Sequence, residues 1–138
     1  PQTWRYTFQK PADNWFKPEF DASAWKEGKG GFGTRGTPGS AVRTEWNTSD
    51  IWLCREVEMP AAAKPGKLSL LMHHDEDAEV YINGVLAAKV AGFTTGYEDV
   101  EMTPEGRKAL KPGKNVIAVH CKQTQGGQYI DLGLVEMK

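Results

Sequence analysis

The dipeptide Asn83-Gly84, with Val80 and Ile82 before it and Val85 and Leu86 after it, constrains this chain more than any other feature. Both turn residues tolerate positive φ, which a two-residue primed turn requires and which matches the right-handed twist of paired strands. An earlier apolar run, Leu68 to Met72, enters the hairpin through a polar corner of His73, His74, Asp75, Glu76 and Asp77. Three strands in succession read as a meander, so the rest of the chain must supply a second sheet to cover it.

Other segments supply that sheet. Trp4, Tyr6 and Phe8 alternate with Arg5 and Thr7 at the period of a half-buried strand. Ile51 to Met59 is a further strand, bounded by Thr48-Ser49-Asp50 and Pro60, and the turn Lys64-Pro65-Gly66 leads on to Leu68. Gly92 to Met102 reads as a strand broken near Gly96. Thr103-Pro104-Glu105 opens a short helix, with Thr103 as cap, proline at the first position and an acid suited to the helix dipole; it ends by Leu110. After the turn Lys111-Pro112-Gly113-Lys114-Asn115 comes a central strand, Val116 to Lys122; the polar loop Thr124-Gln125-Gly126-Gly127-Gln128 and a last strand, Tyr129 to Met137, follow.

Between Pro11 and Gly39 the prolines 11, 18 and 38, frequent glycine and the aromatics Trp15, Phe16, Phe20, Trp25 and Phe32 exclude regular sheet, yet the aromatics are too many for disorder. The segment reads as a long ordered loop wrapped over one end of the domain, with Asp21 to Trp25 as one helical turn capped by Asp21. Short strands, regular turns and little helix predict an all-β fold, an antiparallel β-sandwich with one or two short helical turns.

At 138 residues the chain is one domain that needs no crosslink to fold. With 17 basic and 18 acidic residues, neither nucleic acid nor an anionic membrane is an expected partner, and no apolar run approaches the ~20 residues of a membrane helix. Cys54 and Cys121 are too few for a disulfide framework and lie far apart; two buried thiols is the leading expectation and a single bridge the other. The chain opens on proline, so it is expected to be excised from a larger multidomain protein.

The run Ile51 to Pro60, then Leu68 to Met72, Asp75, Asp77 to Gly84, Leu110 to Val119, and Trp15 to Trp25 together resemble the galactose-binding-like jelly-roll domains. In pattern the chain is similar to the sugar-binding domains of family 2 glycoside hydrolases and to accessory modules of large secreted bacterial hydrolases. The resemblance covers most of the chain and implies a sandwich flanking a catalytic domain. It further implies a non-catalytic module in a secreted or periplasmic hydrolase, which sometimes binds carbohydrate at its loop edge and sometimes serves only as scaffold.

A sugar site needs a flat aromatic against the apolar face of the ring and fixed polar groups for its hydroxyls. Trp15, Trp46 and Tyr129 lie in loops or at strand starts and are the candidate platforms, whereas Trp4, Trp25 and Trp52 sit in core patterns; the alternative is that all of them are packing residues. Asp75, Asp77 and Gln128 are the candidate polar partners, with Gln123, Gln125 and Arg43 behind them. Asp75, Asp77 and Glu79 have the spacing that opens a calcium loop, but Val80 and Leu86 stand where its glycine and bidentate acid belong. No cofactor is required on this reading; a structural calcium remains open, without assigned ligands. His73 and His74 point to opposite faces of a strand and read as a satisfied strand-end pair. Gly28 to Gly33 formally fits the dinucleotide fingerprint, but Gly36, Pro38 and Gly39 follow, so no helix presents its amides. His120 reads as core or sheet surface, and no residue is assigned a catalytic role.

Overall fold

The computed structural model describes residues 2–34, 41–59, 68–75, 77–94, 96–123 and 128–136. The expected turn at Lys64-Pro65-Gly66, the residues Gly36, Pro38, Gly39, Pro60, Glu76 and Met137, and the loop Thr124-Gln125-Gly126-Gly127 lie outside them.

Two sheets face each other, as the alternation requires. The first has the order β2 (Lys26–Lys29), β1 (Thr3–Thr7), β5 (Asp50–Met59), β10 (Gly113–Lys122), β7 (Asp77–Ile82), β8 (Val85–Val90). The second has the order β4 (Thr44–Glu45), β3 (Phe32–Gly33), β11 (Tyr129–Glu136), β6 (Leu68–Asp75), β9 (Glu98–Val100). Among the described strands every pairing is antiparallel except β3 with β4. Because successive side chains alternate faces, Ile51 and Leu53, Ile117 and Val119, and Val80 and Ile82 point inward together. They meet Leu70, Met72, Ile130 and Leu132 of the second sheet in one buried core. The fold is an antiparallel β-sandwich, with β10 as a central strand as the run of small and β-branched residues predicts.

The meander does not form. β6 bonds to β11 and β9 in the second sheet, while β7 bonds to β10 and β8 in the first. The polar corner is therefore a crossing between sheets: β6 continues through His73 and His74 to Asp75, and β7 starts at Asp77 on the other side. Apolar runs reveal that a strand is buried but not which sheet takes it.

The segment from Pro11 to Gly39 also differs from its reading. It contains β2 and β3, which glycine conceals from a pattern search because glycine shows no side chain to alternate. Glycine is required there by close approach: a Cβ on Gly28 would lie 2.9 Å from the Tyr6 ring, and one on Gly33 only 2.3 Å from the Gln128 carbonyl oxygen. Asp21 to Trp25 is a turn rather than a helical turn, with Asp21 Oδ1 accepting from the Ser23 N–H at 2.9 Å. Residues 11–25 do not close an end of the sandwich. They cross the outer face of the first sheet, where Phe16 lies 4.6 Å from Tyr81 and the turn glycine Gly84 abuts Pro18. Arg5 of β1 ties this strap down by donating to the carbonyl oxygens of Ser23 (3.2 Å) and Trp25 (3.3 Å). The broken strand of residues 92–102 is reduced to β9 and a single bridge between Phe93 and Asp75.

The two turn motifs converge. Asn83 takes φ 49° and Gly84 φ 85°, the primed geometry expected of the hairpin. The Asn83 side chain donates to Ala109 O and Asn115 Oδ1, each at 2.8 Å, and accepts from the Val116 N–H at 2.9 Å. Asn115 in turn accepts from the Lys111 N–H and donates to Lys111 O and Gly113 O. One amide pair, its Asn115 member buried, thus joins the hairpin, the end of helix α1 (Pro104–Ala109) and the Pro-Gly-Lys-Asn turn.

Helix α1 starts as expected, with Thr103 Oγ accepting from the Gly106 N–H at 3.0 Å. Gly106 faces β8 so closely that a Cβ would sit 2.5 Å from Ala87 Cα. Alanine gains about 1 kcal/mol over glycine in an open helix, but overpacking a filled site costs about 1–3 kcal/mol, and here backbone opposes the new atom. Gly106→Ala is expected to lower stability by about 1–2 kcal/mol in denaturant unfolding; a gain would mean the helix is free to lift off β8.

Candidate functional site

The six residues singled out for carbohydrate contact do not assemble into one surface. Trp46 and Tyr129 are fully buried, and Gln128 and Asp75 are buried as well, so neither of these two candidate rings presents a face to solvent. Trp46 joins the core, and its backbone N–H bonds to Gly33 O at 2.9 Å. Tyr129, opposite Asp75 on β6, is covered by the chain at Gly31 and Ala41 and donates its hydroxyl to Ala41 O at 3.2 Å. Gln128 donates to Thr48 O at 2.8 Å. Asp77 Oδ1 accepts from the Gly92 N–H at 2.8 Å and so fixes the segment leading to Phe93. Trp15 is half-buried on the opposite sheet, edge-on to Tyr81 and His120. Among the described residues no three His, Cys, Asp or Glu side chains gather as metal ligands.

Exposed aromatics occur instead at the sheet crossing, where they were not singled out. Phe93 is 65% exposed and Tyr97 48% exposed. Phe93 bridges to Asp75 by its backbone, and the Tyr97 ring meets His73 edge-on at 5.6 Å, so both approach the last residues of β6. The Tyr97 hydroxyl donates to Asp131 Oδ2 of β11. Burial first, then this bond, pushes that hydroxyl far above the ordinary phenol range, so it stays a donor at every physiological pH. Arg43 extends the rim, its guanidinium donating to Gly30 O at 3.1 Å. The arrangement offers two rings, a fixed carboxylate and a guanidinium at one exposed end, the groups a sugar needs.

Beneath the rim, His73 is fully buried, with the Tyr129 ring at 4.5 Å and, among the described residues, no partner within hydrogen-bond distance of either ring nitrogen. It is not the satisfied strand-end residue expected. Burial, helped by His74, holds its pKa below the ordinary 6.5, while the nearby Thr94 backbone and Asp131 pull the other way. A depressed folded-state pKa means that the unfolded chain takes up this proton first as pH falls. The His73 contribution is therefore complete above about pH 6.5 and is lost below it, with a slope of at most about 1.4 kcal/mol per pH unit. Denaturant unfolding from pH 7.5 down to 5 is expected to show a shallower decline for His73→Phe than for the natural chain; identical slopes would mean that the ring is reached by water.

On the first sheet, His120 lies flat on Trp52, with centroids 4.7 Å apart and planes 2° apart. Its Nε2 is 2.7 Å from Asp50 Oδ1, and its Nδ1 lies 3.8 Å from Glu79 Oε1. Trp15 closes over it edge-on. Held by a carboxylate and two indoles, the imidazole acts as a rivet for the strap. Cys54 and Cys121 are not bridged: Cys54 lies on the outer side of this sheet beneath the strap and Cys121 in the core.

No family model matches the chain, and no curated protein matches it. Solved structures do. A glycosyl hydrolase family 2 member from Bacteroides cellulosilyticus superposes with a TM-score of 0.66 at 16% identity, over 98% of this chain and 20% of that one. The chain has the fold of a sandwich module carried by family 2 glycoside hydrolases. A Bacteroides uniformis beta-glucuronidase matches with a TM-score of 0.63 at 18% identity, over 96% of this chain and 17% of its own. A Bacteroides vulgatus beta-glycosidase matches at 0.60 and 16%, over 98% and 20%. At this identity the likeness speaks for the fold, and the chain spans about a fifth of the length of these enzymes.

Proposed function

We propose that this chain is a non-catalytic accessory module of a larger secreted or periplasmic glycoside hydrolase, which binds carbohydrate weakly at the sheet crossing. The observation that supports this reading is the exposed pair Phe93 and Tyr97 beside the Tyr97–Asp131 bond. Stacking on Phe93 would supply about 0.5–1.5 kcal/mol, a part of the ~4 kcal/mol that millimolar affinity represents. A second reading, a scaffold that docks on its parent's catalytic domain without a ligand, draws support from the burial of Trp46 and Tyr129.

Titration with a panel of mono- and oligosaccharides, followed by intrinsic fluorescence, separates the two. The binding reading expects a saturable change at millimolar sugar that weakens about 3- to 10-fold in Phe93→Ala, with an unchanged unfolding midpoint. A flat response across the panel leaves the scaffold reading.

A further inference from the structure

Three residues line up across the outer face of the second sheet. Leu70 and Met72 of β6 and Ile130 and Leu132 of β11 point into the core, so His73 and Asp131 share the opposite face. They stand directly opposite each other in the ladder, where Cβ atoms lie about 4.5–5.5 Å apart. On its other side β6 pairs Leu70, Leu71 and Met72 with Val100, Asp99 and Glu98 of β9, so one further step brings Tyr97 beside His73. The Tyr97 hydroxyl nevertheless bonds to Asp131, on the strand beyond. Its phenol therefore crosses His73, which is fully buried beneath it, the two rings edge-on at 5.6 Å. Among the described residues no ion pair includes Asp131, and neither nitrogen of His73 has a hydrogen-bond partner. A carboxylate without a cation thus faces an imidazole without an acceptor, and Tyr97 spans the two.

The groups around His73 are Asp131 and Tyr129 from β11, Tyr97 and the Thr94 backbone from the chain before β9, and His74 and Asp75 from its own strand. Asp99 sits two positions further along, opposite Leu71, and Arg43 acts on Tyr129. Of the acids, Asp131 acts on the His73 ring. Protonation gives the ring a second N–H and a charge where water does not reach, which costs free energy unless an anion pairs with it. A neutral phenol offers the same carboxylate no such Coulomb attraction. We infer that His73 is an acid-operated latch on this rim: when its ring takes up a proton from solvent, the Asp131 carboxylate turns to the imidazolium and releases the Tyr97 hydroxyl. Burial keeps the ring neutral at pH 7, so the latch is closed there and opens below pH 6.5. The effect on sugar rests on the carbohydrate reading; the release of Tyr97 does not.

The 138-residue chain is followed by the ring resonances of His73, Tyr97 and Tyr6 as pH falls from 7.5, first without sugar. Tyr97 is expected to move toward the shifts of a free tyrosine with the midpoint at which His73 titrates. Tyr6, which packs on Phe8 and Phe32, should stay in place. In His73→Phe the Tyr97 movement should vanish. In Asp131→Asn, which offers the imidazolium no anion, His73 is expected to titrate at lower pH, and this variant carries the test should His73→Phe fail to fold. A Tyr97 ring that holds still through the His73 titration, that moves equally in His73→Phe, or an unchanged His73 midpoint in Asp131→Asn would overturn the latch. Lactose and cellobiose, neutral at every pH used, are then titrated on either side of the midpoint. A Tyr97 ring that must be immobilised on binding is expected to weaken them about 2- to 10-fold on the acid side. Equal affinity on both sides would overturn the control of binding. No binding of either sugar would count against the carbohydrate reading, and the Tyr97 movement would still decide the latch.

Discussion

Asn115→Ala is expected to remove about 3–5 kcal/mol of stability, a large part of the ~5–15 kcal/mol of a typical domain. Asn115 is fully buried, and its amide bonds Lys111 N and O, Gly113 O and Asn83 Nδ2 at 2.8–3.1 Å. Truncation strands all of these groups where water does not reach, and each stranded group costs about 1–3 kcal/mol. The damage should spread to the Asn83-Gly84 hairpin and the end of α1, because Asn83 loses a partner and then holds Ala109 O and the Val116 N–H less firmly. Asn115→Asp keeps the acceptor and loses both donations, so it should fall between alanine and the natural chain. Denaturant midpoints order the series; a loss below ~1 kcal/mol for alanine would show that the node is solvated.

Trp46→Ala is expected to cost about 3–5 kcal/mol, as truncation of a buried tryptophan does. Trp46 is one of the candidate platforms, and an open platform would give the opposite result: little change in stability and a loss of sugar binding. Among the described residues its indole N–H is buried without a partner, so Trp46→Phe discards an unsatisfied donor along with some volume and should cost less than about 1.5 kcal/mol. Unfolding midpoints of the two variants decide between core and platform without any ligand.

What could be seen beforehand was local. Positive φ at Asn83 and Gly84, the Thr103 cap and the alternation along β5 and β10 depend on neighbours in sequence, and each is present. What could not be seen depends on distant chain. Tyr129 sits at the start of a strand, where exposure is usual, but Ala41 lies over its hydroxyl from 88 residues away. The side of the sandwich taken by β6 is fixed by its ladder with β11, about sixty positions on. β2 and β3 are strands because Tyr6, Gln128 and Tyr129 close on glycines, a contact invisible in the glycine pattern itself. A signal for the exposed rim did exist: Phe93 and Tyr97 flank Gly96 in a segment whose pattern is too loose for a core strand. Aromatics without apolar periodicity are the ones most apt to remain at the surface.

The central claim is that the sheet crossing, with Phe93 and Tyr97 at its rim, is a carbohydrate surface. Backbone amide shifts of the isotopically labelled chain, followed through a titration with the oligosaccharide that responds best, test it most directly. The account predicts saturable shifts centred on Phe93, Tyr97 and Asp131 and none at Trp46. Shifts centred elsewhere, or no saturable shift at millimolar sugar, would contradict it.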